Sequence, residues 1–392
     1  MGDGVVATEA RWSVPRSDRP IFGYLLAALL LETLFFVVLS PLLPLYAREL
    51  HLGSTGAGFL SASYSIGYGL AAVPAGALVS VVGERAVSLG GLALIGTACA
   101  AFAVGHHIMM LDAARLATGA GAAAVWAGSI PWLESLGRPG DRGRMIGLAF
   151  SAASAGACAG PAVGAVATLI GARTAFLGLS GLIFALLLAG AVISAGREPV
   201  AFRGVPRGAR SALRSRATRT ALAMVVLPTL AFGVSGVLLP LRLHGLGVAE
   251  VGIAAAYLLA AVLEVFTNPV VGRWFDRSGG GRVLRATMAG SAACVCALAL
   301  PLPAAALLWV LVVSFPVLGA SWVPSLAQLS TSLERDGAGA GVALGLFNIS
   351  WAISQVIGAV GGAELSHVGA AVPFLLLGVL FLGGARLAST LG

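Results

Sequence analysis

The amino-acid sequence predicts an all-α integral membrane protein whose twelve transmembrane helices form two pseudo-symmetric six-helix bundles. Three observations lead to this fold class. Hydrophobic residues make up 58% of the 392 residues and charged residues only 10%, whereas soluble domains carry about 25% charged residues. Apolar runs of roughly 20 residues, long enough to cross a ~30 Å hydrocarbon core, recur along the chain. Short sequence patterns of the first half of the chain also recur in the second half.

Short polar or Gly/Pro-rich segments separate the apolar runs and set the limits of the spans. The expected spans are 21–46, 57–80, 87–105, 109–136, 145–169, 174–195, 220–241, 250–272, 284–302, 304–329, 338–362 and 369–389. The expected domains are an N-terminal tail (1–20), an N-terminal bundle (21–196), a basic linker (197–219) and a C-terminal bundle (220–392).

The distribution of arginine predicts the orientation in the membrane. All 24 basic residues are arginine. With a cytoplasmic N-terminus, 20 of them lie on the inner side, against three in outer loops, namely Arg48, Arg173 and Arg242. Because cytoplasmic loops carry the excess of positive charge, both termini are expected to be cytoplasmic. We interpret the arginine-rich linker as a segment that its positive charge keeps on the cytoplasmic side. The alternative is that it binds a partner or lipid.

The charged and metal-binding residue types exclude several functions. The formal charge of +8 arises from these loop arginines, so we expect no nucleic-acid partner. The absence of lysine excludes a P-loop lysine and a Schiff-base lysine. The four cysteines lie in apolar spans, and no histidine pair has the i, i+4 spacing of a metal site. We therefore expect no metal, no cofactor and no enzymatic activity.

An internal repeat divides the chain into equal halves. Leu42-Leu-Pro44-Leu recurs as Leu238-Leu-Pro240-Leu, at an offset equal to half the length of the chain. The same offset relates two tryptophans, Trp126 and Trp322. Two six-span halves in the same orientation, joined by a linker, are typical of the parallel repeat of a transporter.

A glycine stripe marks the fifth span. Gly156, Gly160 and Gly164 are spaced at i, i+4 and i+8, so they share one helix face that a neighbouring backbone can approach closely. Pro161 removes a backbone donor and favours a bend. The stripe suits a protein whose halves rock against each other, although an ordinary packing face would show the same pattern.

Three ionisable residues lie at bilayer depth, where charges are costly and usually functional. Glu32 is placed about 16 Å into the first span, near the midplane. Arg115 of the fourth span lies at a similar level, so the alternative to a proton-coupling role is a buried ion pair of the two. Glu264 of the eighth span is a second candidate proton or cation site, with pairing to Arg273 as the alternative. Desolvation favours a neutral carboxyl, whereas a nearby arginine favours the charged form.

Aromatic and amide side chains at helical spacing predict a substrate cavity. An apolar, aromatic pocket with one carboxylate suits a lipophilic cation better than a sugar, which requires many hydrogen bonds. Each tryptophan could instead anchor the membrane interface or fill the core. The candidates are Tyr64, Tyr68, Trp126, Asn348, Trp351 and Gln355.

Two sequence motifs resemble those of major facilitator superfamily transporters, most of all the twelve-span drug:proton antiporters and their vesicular-amine-transporter-like branch. Gly156-Ala-Cys-Ala-Gly160-Pro161-Ala-Val-Gly164 matches the antiporter signature Gly-xxx-Gly-Pro-xx-Gly-Gly, with Ala165 in place of the last glycine. Arg115-Leu-Ala-Thr-Gly-Ala-Gly matches the fourth-span pattern Arg-xx-Gln-Gly-x-Gly, with threonine in place of glutamine.

A third motif, in the loop after the second span, resembles the family signature only in part. The signature Gly-x-Leu-x-Asp-Arg-x-Gly-Arg-Lys is present as Gly76-Ala-Leu-Val-Ser80-Val-Val-Gly83-Glu-Arg85, where Ser80 replaces the acid. The copy in the second half retains the acid. In the family these loops form a charge-paired cytoplasmic gate, which by resemblance would here comprise Gly76, Gly83, Arg85, Gly272, Asp276 and Arg277.

The resemblance implies a proton-coupled secondary transporter that exports small amphipathic or cationic compounds, such as drugs or a natural product, by alternating access. Its expected partners are the substrate, protons and the lipid bilayer. We expect a monomer in a bacterial cytoplasmic membrane. The alternatives are a proton-coupled uptake carrier for a metabolite and, in another class, a non-transporting membrane receptor.

The arginine distribution makes a testable prediction of topology. In a background without the native cysteines, a cysteine introduced at Arg207 should react with an impermeant maleimide only from the cytoplasmic side, because the linker is held inside. A cysteine at His106, in the loop after the third span, should react only from outside. Labelling of both positions from the same side would contradict the twelve-span arrangement.

Overall fold

The computed structural model describes residues 14–137, 142–196, 215–278, 280–335 and 340–388, which are almost entirely helical. The first half contains α1 (Arg19–Val37), α2 (Leu39–Glu49), α3 (Ser54–Val82), α4 (Glu84–Val104), α5 (Ile108–Ser135), α6 (Arg142–Ile170) and α7 (Ala172–Ile193). The second half contains α8 (Arg216–Gly245), α9 (Glu250–Ser278), α10 (Gly280–Ala299), α11 (Ala304–Gly319), α12 (Trp322–Arg335), α13 (Ala340–Val356), a π-helical turn (Ile357–Gly361), α14 (Gly362–Ser366) and α15 (Val372–Ala388).

The described helices account for all twelve expected spans. Ten helical segments are long and apolar enough to cross a membrane, and α1 with α2 forms the first of them. The shorter apolar helices α11 and α15 lie where the tenth and twelfth spans are expected. The predicted fold class, a helical multi-pass membrane protein, is confirmed.

Two spans that the sequence predicts as single helices are broken. The first is interrupted at Val38 and the tenth at Ala320 and Ser321. Proline explains both breaks, because it has no backbone N–H to donate to the carbonyl four residues earlier. Pro41 leaves the carbonyl at the end of α1 without that bond, and Pro324 does the same to Ala320.

Helix packing repeats between the halves. In the first half α3 and α4 pack on α5, and α4 also packs on α7. In the second half α9 and α10 pack on α11, and α10 also packs on α15. Across the halves α6 contacts α9 and α13 contacts α3. Each helix of a pair has a counterpart six spans away in the other half. Replacing both helices by their counterparts gives the matching pair, as the parallel repeat requires.

Polar contacts join the halves at the face that the arginine distribution predicts to be outer. Arg48 Nη1 lies 3.5 Å from Glu250 Oε1. Thr55 Oγ1 lies 3.1 Å from His367 Nε2, and Ser54 donates to a backbone carbonyl of α14 at 3.4 Å. These contacts hold α2 and α3 of the first half against α9 and the end of α14.

The glycine stripe of α6 faces the first span. A Cβ atom at Gly160 would lie 3.0 Å from Val37 Cβ, and one at Gly156 would overlap the carbonyl oxygen of Leu30. Gly164 makes a similar approach to the start of α2. The stripe therefore allows α6 to lie backbone to backbone against the span that carries Glu32.

This close approach makes a testable prediction. Gly160→Leu should reach the membrane but lose transport, because the added side chain must displace Val37 at a cost of about 1–3 kcal/mol. Gly178→Leu is the matched control, since a Cβ atom at Gly178 on α7 would have nothing within 4 Å. Transport by both variants is measured in the same vesicles. Full activity of Gly160→Leu would show that the close approach is dispensable.

Candidate functional site

A central cavity of about 570 Å³ lies between the two halves. Helices α1, α3, α5 and α6 line it from one side, and α9, α12 and α13 from the other. Aromatic and small apolar side chains form most of its wall. Two carboxylates, Glu32 and Glu264, reach it from opposite halves. Its position and lining are those of a binding cavity for a small molecule.

Glu32 is buried, with only 4% of its surface exposed, and its carboxylate is hydrogen-bonded on both oxygens. The Tyr64 hydroxyl donates to Oε1. Trp126 Nε1 donates to Oε2 at 2.8 Å, and Thr33 Oγ1 lies 3.0 Å from the same oxygen. These neutral partners stabilise a charge that lipid and apolar side chains cannot solvate.

Close packing of α3 on α5 brings two of these partners together. A Cβ atom at Gly119 would overlap the backbone carbonyl oxygen of Tyr64, so only glycine permits this approach. Trp126 follows Gly119 by about two helical turns and therefore lies on the same face of α5. Both side chains thus point toward α1, where Glu32 lies.

Arg115 is buried and does not pair with Glu32. Its Nη1 and Nη2 atoms donate to the backbone carbonyls of Phe35 and Phe36 at 2.9 and 3.4 Å. Its Cζ atom lies 5.0 Å from the centre of the Tyr64 ring. Among the described residues no ion pair joins Arg115 to Glu32, so the ion-pair alternative is wrong. The cation is drawn instead to carbonyls at the C-terminal end of α1, where the helix dipole is negative.

Glu264 lies on α9, across the cavity from Glu32. Asn268, one helical turn further along α9, borders the same cavity. A Cβ atom at Gly319, where α11 ends, would overlap the Glu264 carboxylate, so glycine makes room for this group. Arg273 is exposed and forms no ion pair with Glu264, although the structure describes both residues. The pairing alternative for Glu264 is therefore wrong as well.

Aromatic rings form a continuous wall beside Glu32. Tyr64 and Tyr68 are stacked with their ring centres 6.4 Å apart. Trp351, from the other half, meets Tyr68 edge-on at 5.4 Å. Asn348 borders the same cavity. Gln355 lies one turn beyond Trp351 and borders a smaller cavity of about 220 Å³, which Arg115 and Glu264 also line.

Several lining residues were not expected from the sequence. Thr33 and Phe36 border both cavities, and the position of Phe36, four residues after Glu32 on the same helix face, could have indicated it. Phe150 and Phe347 approach each other from opposite halves, with ring centres 6.5 Å apart. They lie toward the face predicted to be cytoplasmic, and no local motif marks them.

The structure places the candidate gate residues at the ends of α3 and α9. Gly83 ends α3 with φ of 86°, a conformation that favours glycine. Arg85 donates to the carbonyl of Ala191 in its own half at 3.2 Å. Arg277 is exposed, and the side chain of Asp276 lies outside the described residues. Gly76 and Gly272 have open space around them. The charge-paired gate stays a prediction.

Repeated six-span halves with a cavity between them are the architecture of membrane transporters built from parallel repeats. The sequence matches the Major Facilitator Superfamily over residues 25–359. Since this match covers most of the chain, the protein belongs to that superfamily.

Individual relatives match parts of the chain. The chain is 33% identical over 117 residues to the MFS-type transporter ppzB of Metarhizium rileyi, a match that covers 30% of this chain and 24% of the relative. It is 31% identical over 161 residues to ppzB of Metarhizium majus, covering 40% of this chain and 35% of the relative. It is 28% identical over 176 residues to multidrug resistance protein 1 of Bacillus subtilis, covering 44% and 45%. The matches thus span less than half the length of each relative.

Proposed function

We propose that this transporter exports small lipophilic or amphipathic cations in exchange for protons. The observation that carries the proposal is the carboxylate of Glu32, which borders the central cavity and is held by neutral donors rather than by a cation. Such a group can bind either a proton or a positively charged substrate. It cannot bind both at once, and this competition provides the coupling.

The lining of the cavity supports a cationic, apolar substrate. A cation placed beside Glu32 would lie close to the rings of Phe36, Tyr68 and Trp351, which attract positive charge through their faces. Asn348 is one of few neutral polar groups on this wall. A sugar would require many more hydrogen bonds, whereas a flat or bulky apolar ion would fill the space.

The arrangement of the halves supports loading from the cytoplasm. The polar contacts of Arg48 and Thr55 with the second half lie at the face predicted to be outer. The larger cavity lies on the other side of Glu32, among the first turns of α6 and α13. A rocking motion that separates the outer contacts would release the substrate outside and admit a proton to Glu32. The expected setting is a monomer in a bacterial cytoplasmic membrane, with both termini inside.

The relatives support the direction of transport. Two proteins of Bacillus subtilis to which parts of this chain are similar are named multidrug resistance proteins 1 and 2. Export of foreign, lipophilic compounds would suit the aromatic cavity of this chain.

Replacing Glu32 tests the proposal. Glu32→Gln mimics the protonated state permanently, so it should reach the membrane normally but fail to drive uphill export or proton exchange in vesicles with an imposed pH gradient. Glu32→Asp should retain part of the activity, because it keeps the titratable group. Glu364→Gln is the control, since Glu364 is exposed and lines neither cavity.

Export of an organic cation against its gradient by Glu32→Gln, with an unchanged pH dependence, would contradict the proposal. Glu32 would then have only a structural role. Glu264→Gln in the same vesicles would then show whether the second carboxylate of the cavity carries the proton. Loss of activity in both variants, with normal expression, would indicate that both carboxylates take part.

A further inference from the structure

The smaller cavity, of about 220 Å³, adjoins the central cavity. The walls of the two cavities share Phe36 and Trp351. From there the smaller cavity extends past the end of α1 to Ser40 and along α3 to Ser61, toward the face predicted to be outer. A molecule whose charge lies beside Glu32 can therefore reach into both cavities.

Polar side chains line the smaller cavity without a partner from the protein. Ser65 and Gln355 border it and are only 2% and 8% exposed. Among the described residues neither side chain has a hydrogen-bond partner, and the same holds for Ser61 in the same wall. Because a buried polar group without a partner is costly, groups of this kind require an explanation. A ligand that hydrogen-bonds to them would provide one.

The two serines differ from another serine on the same helix. The Ser63 hydroxyl donates to the carbonyl of Phe59, four residues earlier, at 2.8 Å. Serine hydroxyls within helices can satisfy themselves in this way. Ser61 and Ser65 lie on the face of α3 that borders the cavity and do not make this bond. Their hydroxyls are thus available to a molecule in the cavity.

The second half has no serine at the equivalent positions. An offset of half the chain length relates Ser61 to Tyr257 and Ser65 to Ala261, which also border the smaller cavity. The Tyr257 hydroxyl donates to the carbonyl of Ser235 in its own half at 3.2 Å. Helix packing at this depth therefore does not require serine, and the unpaired serine hydroxyls belong to the first half.

A glycine makes room for the amide of Gln355. A Cβ atom at Gly233 on α8 would lie 3.0 Å from Gln355 Oε1, so a larger residue would crowd it. The π-helical turn begins two residues after Gln355 and contributes Ala359 to the same wall. Such turns occur frequently at functional sites. The amide can both donate and accept a hydrogen bond there.

The charged groups of the smaller cavity indicate a neutral occupant. Arg115 and Glu264 both border it, so its wall holds one basic and one acidic side chain. This pairing favours neither a second cation nor an anion. The hydroxyls of Ser61 and Ser65 and the amide of Gln355 can each donate and accept. Together they suit a neutral group such as a hydroxyl or an amide.

We propose that the smaller cavity is a subsite for a neutral, hydrogen-bonding head group, so that the substrates are amphipathic cations bearing a hydroxyl or an amide. The inference rests on the proposed function for the place of the positive charge, but the subsite itself can be tested by binding alone. The cation lies beside Glu32, and its apolar part lies among the aromatic rings of the central cavity. The head group contacts Ser61, Ser65 and Gln355.

The experiment compares two cations that differ by one hydroxyl. Propyltriphenylphosphonium and (3-hydroxypropyl)triphenylphosphonium carry the same charge and have nearly the same shape. Their affinities for the purified protein in detergent are measured by isothermal titration calorimetry. The hydroxylated cation should bind about fivefold more tightly, because its hydroxyl pairs with groups that otherwise lack a partner. Equal affinities, tighter binding of the propyl compound or failure of both to bind would overturn the inference.

Removal of the polar side chains should remove this preference. In Ser65→Ala and in Gln355→Leu the two affinities should approach each other, while the propyl compound binds as it does to the wild type. Combining both changes with Ser61→Ala should make the affinities equal, and a preference that survives there would overturn the inference. Should Gln355→Leu be unstable, Ser61→Ala with Ser65→Ala should still reduce the preference.

Ser354→Ala is the matched control. Ser354 is the neighbour of Gln355 and lines neither cavity, and its hydroxyl donates to the carbonyl of Ser350 at 2.6 Å. Its replacement should leave the preference for the hydroxylated cation unchanged. Loss of the preference in this variant as well would overturn the assignment to the side chains that line the cavity.

Transport assays in vesicles separate this inference from the proposed function. If the hydroxylated cation binds more tightly but the vesicles show no exchange of cations for protons, the proposed function fails and the subsite stands. If exchange is present and lost in Glu32→Gln, but the two cations bind equally, only the inference about the subsite fails.

Discussion

A carboxylate held in the middle of an apolar helix bundle is the constraint on which the rest of this structure depends. An isolated charge in such a place is expensive, and a protein normally offsets it with a cation of opposite charge. Here the nearby guanidinium of Arg115 is directed elsewhere, to the carbonyls at the end of α1. Glu32 is left with neutral donors, and under the proposed function its charge is then available to a proton or a cationic substrate.

The packing of the surrounding helices brings the partners of Glu32 together. Gly119 lets α5 approach α3 closely enough for Tyr64 and Trp126 to converge on one carboxylate. The glycine stripe of α6 presses against α1 from the other side. The last turn of α1 provides the carbonyls of Phe35 and Phe36 that hold Arg115. The positions of glycine thereby determine which groups surround the carboxylate.

Much of the fold could be predicted because its signals are local and periodic. Span length and composition gave the twelve spans, and the offset between Trp126 and Trp322 revealed the repeat. Glu32 was recognisable because any acid at that depth is exceptional. The same reasoning could not find the partners of Arg115, since backbone carbonyls carry no sequence signature. It also missed the Phe150–Phe347 contact, which depends on how helices distant in sequence meet, and Thr33, whose hydroxyl contacts the preceding Glu32 on the same helix.

The central claim is that a proton and a cation compete for Glu32. The most direct measurement is the affinity of the purified protein for tetraphenylphosphonium as a function of pH. Competition for one site predicts that, on the acidic side of the midpoint, affinity weakens about tenfold for each unit that the pH falls. It also predicts that this dependence disappears in Glu32→Gln. An affinity that is independent of pH, or a pH dependence that survives in Glu32→Gln, would contradict the claim.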